Sequence, residues 1–260
     1  MNSKFILGAS FALLLLTSGA SASTLDVTNN YIFPLAGGGG GAMATLNGVS
    51  VEIYCDDFYN SIDLSTDYNA DVTTLGTGAN LSDTRFGDVT SWETVSLSTG
   101  NSSLDSTDDT FFNSGSGSNA VARYDMAAYL VSLYSAAGGN NTANNEIQEA
   151  IWTLLDPKAE GSAFNPDALN ASTYLEEAAN WYTTTSSSAL NAFLSRVEIV
   201  SPTNMTYSNG LGFGGFQEQI VITPTPEPRG AVWLLLSLLV IGFFVVRRRR
   251  AAAPLLCGNA

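Results

Sequence analysis

The chain has 260 residues, enough for one large or two small domains, and its apolar fraction of 45% is ordinary for a protein with a hydrophobic core. It contains no histidine, which excludes Ser-His-Asp and Cys-His catalysis and every His-ligated metal site. Ten basic residues against 24 acidic ones give a net charge of −14. Between residues 23 and 228 only four basic residues face all 24 acidic ones, which leaves −20. Nucleic acid is therefore not an expected partner, because little positive charge is available to neutralise phosphates.

The first 22 residues have the three parts of a secretory signal peptide. Lys4 gives the start a positive charge, and residues 5–16 form an apolar run that is too short to span a bilayer. Ala20 and Ala22 supply the small residues that signal peptidase requires. We expect residues 1–22 to be removed after Sec export through the inner membrane. A buried N-terminal helix is the alternative interpretation.

The first half of the exported body, residues 23–223, has the composition of a β-structure. Runs rich in β-branched and aromatic residues are separated by Gly, Ser and Asn, which favour turns. The predicted strands span residues 31–34, 43–57 and 90–97. Between them, the glycine run at 37–41 is expected to be a flexible loop, and the acidic segment at 63–71 a solvated turn. The segments at 98–118 and 203–215 are expected to be long surface loops.

Cys55 lies at the end of the best-defined of these strands. The apolar side chains alternate with polar ones at Val49, Val51 and Ile53. This two-residue period is typical of a half-buried strand, and Cys55 continues its apolar parity. We therefore expect the Cys55 sulfur to point into the core and the two aspartates at 56–57 to end the strand. The other cysteine, Cys257, follows a predicted membrane helix, so the two cannot normally form a disulfide.

The second half of the body is predicted to be helical before it returns to strands. The predicted helices span residues 123–137, 145–155, 167–182 and 188–194, and the strands 197–200 and 217–223. Helices grouped between strands indicate an α+β fold, in which a helical insertion packs against an antiparallel β-sandwich or barrel.

Gln148 is an unusual residue within the predicted helix 145–155. Helical spacing places it on the same face as Ile151, Trp152 and Leu155. A buried amide without a hydrogen-bond partner costs about 1–3 kcal/mol, so such a glutamine needs a specific partner. The alternative interpretation is a capping box, in which Gln148 stands near the helix start and bonds the backbone of Asn145.

The C-terminal segment has the pattern of a membrane anchor. A stiff Pro-rich spacer at 224–230 precedes an apolar run at 231–246 and a basic tail at 247–260. The run is short for a transmembrane helix, but arginine side chains at both ends extend it by snorkelling. The arginine cluster should stay cytoplasmic, which leaves the acidic body outside.

The order of these parts resembles the PEP-CTERM sorting signal of Gram-negative bacteria that make exopolysaccharide. The residues that carry the resemblance are Pro226, Glu227, Pro228, Arg247, Arg248, Arg249 and Arg250. The resemblance implies recognition and cleavage by an exosortase, a membrane cysteine transpeptidase, and release of the body to the cell surface or the extracellular matrix. The tail at 251–260 departs from the pattern, since such proteins usually end soon after the arginines. A plain single-pass anchor is the alternative.

Two separated motifs in the body resemble the thioester domains of bacterial surface adhesins. The first is Tyr-Cys-Asp-Asp at 54–57, and the second is Ile-Gln-Glu-Ala-Ile-Trp at 147–152, with Gln148 placed 93 residues after Cys55. The helical segment 124–130 resembles the helix that precedes the glutamine helix in those domains. The departure is Ile147, where the adhesin motif often has threonine. The resemblance implies that the Cys55 sulfur attacks the Gln148 side-chain carbonyl, that ammonia leaves, and that Ile151 and Trp152 shield the bond.

These residues lead to a functional hypothesis. A thioester persists only where water is excluded, and its attack by an amine is helped by a base, for which Asp56, Asp57 and Glu149 are nearby in sequence. We expect a non-enzymatic surface or matrix protein that needs no cofactor and attaches covalently to an amine- or hydroxyl-bearing target. The alternatives are a non-covalent structural or binding protein of the matrix with a buried free Cys55 and, more distantly, a polysaccharide hydrolase with paired carboxylates.

Overall fold

A computed structural model describes residues 23–34, 39–57, 60, 66–76, 78–89, 92, 110–137, 141–155, 171–208 and 211–223. The predicted signal peptide with Ala20 and Ala22, the Pro-rich motif at 226–228, the apolar run at 231–246 and the arginines at 247–250 lie outside this part. So does the strand predicted at 90–97, except for Trp92. Within the described part, no helix has the length and apolar character needed to cross a bilayer.

The strands in the described residues are β1 (Ser23–Pro34), β2 (Gly40–Leu46), β3 (Val49–Cys55), β4 (Thr66–Thr74), β5 (Val197–Pro202), β6 (Thr206–Ser208), β7 (Leu211–Phe213) and β8 (Gln219–Ile222). Six of them are antiparallel and close into a barrel in the order β1-β2-β3-β8-β5-β4, with β4 paired back to β1. A small separate hairpin, β6–β7, lies within the segment 203–215, which was predicted to be a surface loop.

Among the described residues between β4 and β5, the chain forms four α-helices of at least eight residues and a short 3₁₀ helix at Ser116–Ser118. The α-helices are α1 (Ala120–Ala137), α2 (Asn141–Leu155), α3 (Ala171–Thr184) and α4 (Ser187–Leu194). Each lies within a few residues of a predicted helix. The α+β class with an antiparallel barrel and a helical insertion, as predicted from the sequence, is confirmed.

The barrel has two apolar surfaces, one inside it and one under the helices. Its interior is filled by the buried side chains of Leu25, Val27, Ala42, Ala44, Leu46, Ile53, Tyr68, Ala70, Val200 and Val221. On β3, β5 and β8 the alternate residues Tyr54, Ile199 and Ile220 instead pack into the core that the helices form. β5, β8 and the end of β3 from Ile53 to Cys55 are therefore buried on both faces, whereas the start of β3 is exposed or half-buried.

The prediction of one continuous strand over 43–57 is wrong, because a turn divides it into β2 and β3. Asn47 and Gly48 adopt φ angles of 51° and 80°. Two consecutive positive φ values are typical of the tight turn of a two-residue hairpin, and Asn-Gly is the pair that adopts it most readily. The predicted end of the strand is confirmed, since β3 ends at Cys55 immediately before the two aspartates.

The prediction of a solvated turn at 63–71 is also wrong, because β4 begins at Thr66. Tyr68 and Ala70 are buried inside the barrel, while Asp67 and Asn69, which alternate with them along the strand, are exposed. The acidic side chains therefore belong to the solvent face of a half-buried strand. Their polar character concealed the alternation that identifies a strand.

Arg123 ties the start of α1 to the end of α2. Its guanidinium is fully buried and donates to the backbone oxygens of Leu154 at 2.6 Å and Phe112 at 3.1 Å, while it lies 4.5 Å from the centre of the Trp92 ring. Burial lowers the pKa of Arg123 to about 10, so the side chain remains charged at neutral pH. A cation at the carboxyl end of α2 also interacts favourably with the helix dipole.

Candidate functional site

The fold brings Cys55 and Gln148 into direct contact although 93 positions separate them in sequence. Cys55 ends β3 and Gln148 lies in α2, and the Gln148 side-chain nitrogen donates to the Cys55 backbone oxygen at 2.8 Å. Both residues are buried, with exposed fractions of 3% and 1%. The expectation that both side chains lie in the interior is therefore confirmed, and the thioester between them stays a prediction.

The carbonyl oxygen of the Gln148 side chain accepts two hydrogen bonds. The Gly40 backbone N–H donates to Oε1 at 2.8 Å and the Tyr134 hydroxyl donates at 3.0 Å. The amide is thus held by β2, α1 and β3 together, and only one orientation of its oxygen and nitrogen satisfies all three partners. Because α2 begins at Asn141, Gln148 lies about two turns inside the helix. The capping-box alternative is wrong.

Gly39 and Gly40 allow the backbone before β2 to approach this amide closely. A Cβ atom on Gly39 would lie 2.7 Å from both Gln148 Cγ and Trp152 Cζ2. Gly40 adopts a φ of 110°, which residues with a side chain rarely adopt. Both glycines are buried and Gly40 begins β2, so the prediction of a flexible loop is wrong for these two residues.

The Cys55 thiol is neutral in this environment. Its sulfur lies 3.4 Å from the Asp57 backbone oxygen, to which it donates. Burial raises the pKa of Cys55 well above its usual value, and the negative charges of Asp56 and Asp57 raise it further, against a hydrogen bond from the Trp152 side chain that lowers it. A neutral buried thiol is a poor target for external reagents, so solvent chemistry alone does not activate it.

Tyr134 lies beside the thiol and keeps its proton. Its side chain is 2% exposed and stacks on the Tyr54 ring with 5.4 Å between centroids and 16° between planes. Burial raises the pKa of Tyr134 well above its usual value, with smaller contributions from Cys55 and Tyr54. The hydroxyl is therefore a permanent hydrogen-bond donor at this site.

Ile151 and Trp152, the predicted shielding residues, occupy different positions. Trp152 is 6% exposed, approaches Gly39 and lowers the pKa of Cys55, so it lies at the contact between the two motifs. Ile151 is completely buried in the core under the helices. Ile151 therefore packs α2 into this core, whereas Trp152 influences the Cys55 thiol.

A cluster of buried charges lies directly after Cys55. Asp57 forms an ion pair with Arg85, with 2.6 Å between Oδ2 and Nε. Glu218 accepts hydrogen bonds from the hydroxyls of Tyr124 and Ser201 and from the Arg85 backbone N–H. All of the charged side chains in this cluster are at most 1% exposed. One guanidinium thus faces several carboxyl groups, an arrangement that favours protonation of at least one of them.

Asp56 is the carboxyl group that holds a proton. Neither of its oxygens meets an N–H or hydroxyl donor among the described residues. Burial raises its pKa well above the usual value, and the neighbouring carboxyl groups of Glu218 and Asp57 raise it further. The pKa of Glu218 is also raised by burial, but hydrogen bonds from Ser201 and Tyr124 lower it, so the larger upward shift belongs to Asp56.

The three acids that the sequence offered as bases therefore differ. Asp57 is neutralised by Arg85 and Asp56 is protonated, so neither is a free carboxylate. Glu149 is only partly buried, and burial together with Glu146 raises its pKa to about 7. Glu149 is thus the one acid of the three that exchanges protons near neutral pH.

Sequence patterns missed Tyr134, Gly39 and Gly40. The function of the glycine run depends on the approach of α2, and Tyr134 belongs to a helix whose apolar residues do not define a single face. Among the described residues, no group of three or more potential ligand side chains is arranged to hold a metal ion. Comparisons of the chain with protein families, with curated proteins and with solved structures found no match.

Proposed function

We propose that this chain is an exported cell-surface or exopolysaccharide-matrix protein that carries an internal thioester between Cys55 and Gln148. The observation that supports the proposal is the fixed contact between the two residues: the Gln148 amide is bonded to the Cys55 backbone and buried with it. Burial alone does not require this partner, because any hydrogen-bond donor and acceptor would satisfy the amide of a buried glutamine. Its position against the one cysteine of the exported body is what makes acyl transfer the best-supported chemistry.

The reaction balances without a cofactor. The Cys55 sulfur bonds to the Gln148 side-chain carbon, the carbon–nitrogen bond breaks, and the thiol proton leaves with the amide nitrogen as ammonia. The product is an activated acyl group in a site where Cys55 and Gln148 are both almost inaccessible to water. Exclusion of water is the condition for persistence of such a bond.

The thioester would serve for a single covalent attachment. An amine or hydroxyl group of a surface or matrix target attacks the same carbon, forms an amide or ester with the Gln148 acyl group, and returns its proton to the Cys55 sulfur. The protein is consumed in the process, so it is not an enzyme. Sorting by the predicted Sec signal and PEP-CTERM segment would deliver the domain to such targets.

The test is the intact mass of the full chain, purified in mild detergent. We expect the wild-type chain to be one ammonia lighter than the same processed form of Cys55→Ala, after correction for the substitution. Methylamine should add its full mass to the wild-type chain, place the modification on Gln148 and release one titratable thiol. The Cys55→Ala chain should take up no methylamine.

An unmodified wild-type mass, with one thiol that titrates only after denaturation, would contradict the thioester. That result would leave the alternative function, a non-covalent structural or binding protein of the matrix with a buried Cys55.

A further inference from the structure

We propose that the Tyr134 hydroxyl and the Gly40 backbone N–H form an oxyanion hole over Gln148, and that Tyr134 is a catalytic residue for both making and opening the thioester. This inference rests on the proposed function. It goes further because it assigns the acceleration of the reaction to two groups that neither sequence motif contains.

The geometry places both donors on the atom that gains charge. Gly40 N and the Tyr134 hydroxyl lie 2.8 Å and 3.0 Å from Gln148 Oε1. They approach from two different elements, β2 and α1, which leaves the amide nitrogen to its own partner, the Cys55 backbone oxygen at 2.8 Å. The carbonyl is therefore polarised at its oxygen by two donors, and its nitrogen is separately anchored.

The chemistry needs donors at this oxygen. When the Cys55 sulfur adds to the side-chain carbon, the carbonyl electron pair moves onto Oε1 and the carbon becomes tetrahedral. Collapse of this intermediate restores the carbonyl and expels the nitrogen as ammonia with the thiol proton. Hydrogen bonds to an anionic oxygen are stronger than those to a neutral carbonyl, so both donors stabilise the transition state more than the ground state.

The same donors act a second time when a nucleophile arrives. The oxygen atom of Gln148 is retained in the thioester, so an attacking amine again drives the carbonyl electron pair onto it. Collapse then expels the sulfur, which takes the proton that the amine loses. Tyr134 is expected to accelerate both steps, which distinguishes it from a residue that only supports the fold.

Both donors are held in place before reaction, as electrostatic stabilisation requires. The Tyr134 ring is fixed by its stack on Tyr54, and its raised pKa keeps the hydroxyl protonated. Gly40 turns its N–H toward Gln148 with a φ of 110°. The hole therefore needs no rearrangement when charge develops.

The experiment compares Tyr134→Phe with Tyr124→Phe in the full chain. Tyr124 lies on the same helix and is equally buried, but its hydroxyl donates to Glu218 at 2.6 Å and makes no contact with Gln148. The loss of ammonia is followed by intact mass from the earliest purified sample onward. The methylamine rate is then measured on the fraction that carries the thioester.

We expect Tyr134→Phe to slow both reactions by roughly 10² to 10³-fold, the usual effect of removing one oxyanion donor. Tyr124→Phe should form and open the thioester at the wild-type rates, even if its unfolding temperature falls further than that of Tyr134→Phe. Complete conversion of Tyr134→Phe in the first sample, with a methylamine rate within about twofold of the wild type, would overturn the proposal and leave the thioester intact. A wild-type chain without ammonia loss would overturn both.

A spectroscopic measurement covers the case in which Tyr134→Phe does not fold. With ¹³C-labelled glutamine, the difference infrared spectrum before and after methylamine isolates the thioester carbonyl of the wild-type chain. Two donors should lower its stretching frequency below that of an alkyl thioester dissolved in an apolar solvent, where no donor is present. A frequency equal to or above this reference would show that the donors do not bind the oxygen, and would overturn the proposal.

Discussion

Asp56 shows how one buried carboxyl group couples the site to pH. It lies between Cys55 and the ion-paired Asp57, and its raised pKa keeps it neutral in the folded state. In the unfolded chain the same group ionises near its ordinary pKa of 3.8. The stabilisation from this difference is therefore complete below about pH 3.8, and is lost as pH rises through the folded-state pKa.

We predict that Asp56→Asn removes this loss of stability. Relative to the wild type, the free energy of unfolding of the variant should increase from pH 4 to pH 7, by up to about 1.4 kcal/mol per pH unit. Urea unfolding at several pH values measures the free energy of unfolding of both proteins. The informative quantity is how their difference changes with pH, because the new amide lowers stability by an amount that does not depend on pH.

Asp57→Asn is the matched control for Asp56→Asn. It leaves Arg85 buried without its carboxylate, so it should destabilise the fold at neutral pH by about 3–5 kcal/mol. A difference between wild type and Asp56→Asn that stays flat from pH 4 to pH 7 would show that Asp56 is ionised in the folded protein.

The residues of the site were predictable in unequal measure. Cys55 was placed by the alternation in β3 and Gln148 by its position on an apolar helix face, so both were identified by local pattern. Tyr134 and Gly40 carry no local signal, because their function depends on which elements the fold brings against Gln148. Periodicity reveals the buried side of an element, but not what it meets there.

At the scale of elements, the contact between the start of β2 and α2 is the critical one. Gly39 has no side chain, and the side chains of Gln148 and Trp152 fill the adjacent space. We predict that Gly39→Ala displaces the Gln148 amide or separates β2 from α2, since its Cβ would lie only 2.7 Å from Gln148 Cγ. Loss of thioester formation should follow, with destabilisation of about 1–3 kcal/mol. Intact mass and thermal unfolding measure the two effects.

Gly48→Ala separates the effect on the site from the effect on stability. Gly48 has a φ of 80° in the β2–β3 turn, so alanine is strained there, but no atom lies within 4 Å of its Cβ position. This variant should lose stability and still form the thioester. If Gly39→Ala formed the thioester as completely as Gly48→Ala, the close approach of Gly39 would have no part in the chemistry.

The elements themselves were predictable where composition and periodicity agreed. The helices α1 to α4 were found because apolar periodicity, helix-favouring composition and capping residues are local features. β4 was missed because aspartate and asparagine occupy its solvent face, and such residues favour turns in isolation. The pairing of β4 with β1 and β5 overrides that preference, and strand pairing is a long-range property.

At the scale of the whole molecule, Cys55 and Gln148 belong to different layers. Cys55 is part of the barrel and Gln148 is part of the helical insertion, and the chain between them contains β4, α1 and half of α2. A bond between the two side chains would close a loop of 93 residues and join the layers covalently. Such a cross-link stabilises a fold chiefly by restricting the unfolded chain, and more so for long loops.

We therefore predict that opening the thioester with methylamine destabilises the wild-type protein. A cross-link over a loop of this length contributes about 2–4 kcal/mol, which corresponds to a fall in unfolding temperature of roughly 4 to 16 °C. Calorimetry of the full chain before and after methylamine measures the change, and Cys55→Ala, which has no bond to open, should show none. An equal fall in Cys55→Ala would assign the effect to the reagent. A wild-type chain that takes up methylamine on Gln148 without any fall would show that β3 and α2 are held together as firmly by the existing contacts, above all the bond between the Gln148 amide and the Cys55 backbone.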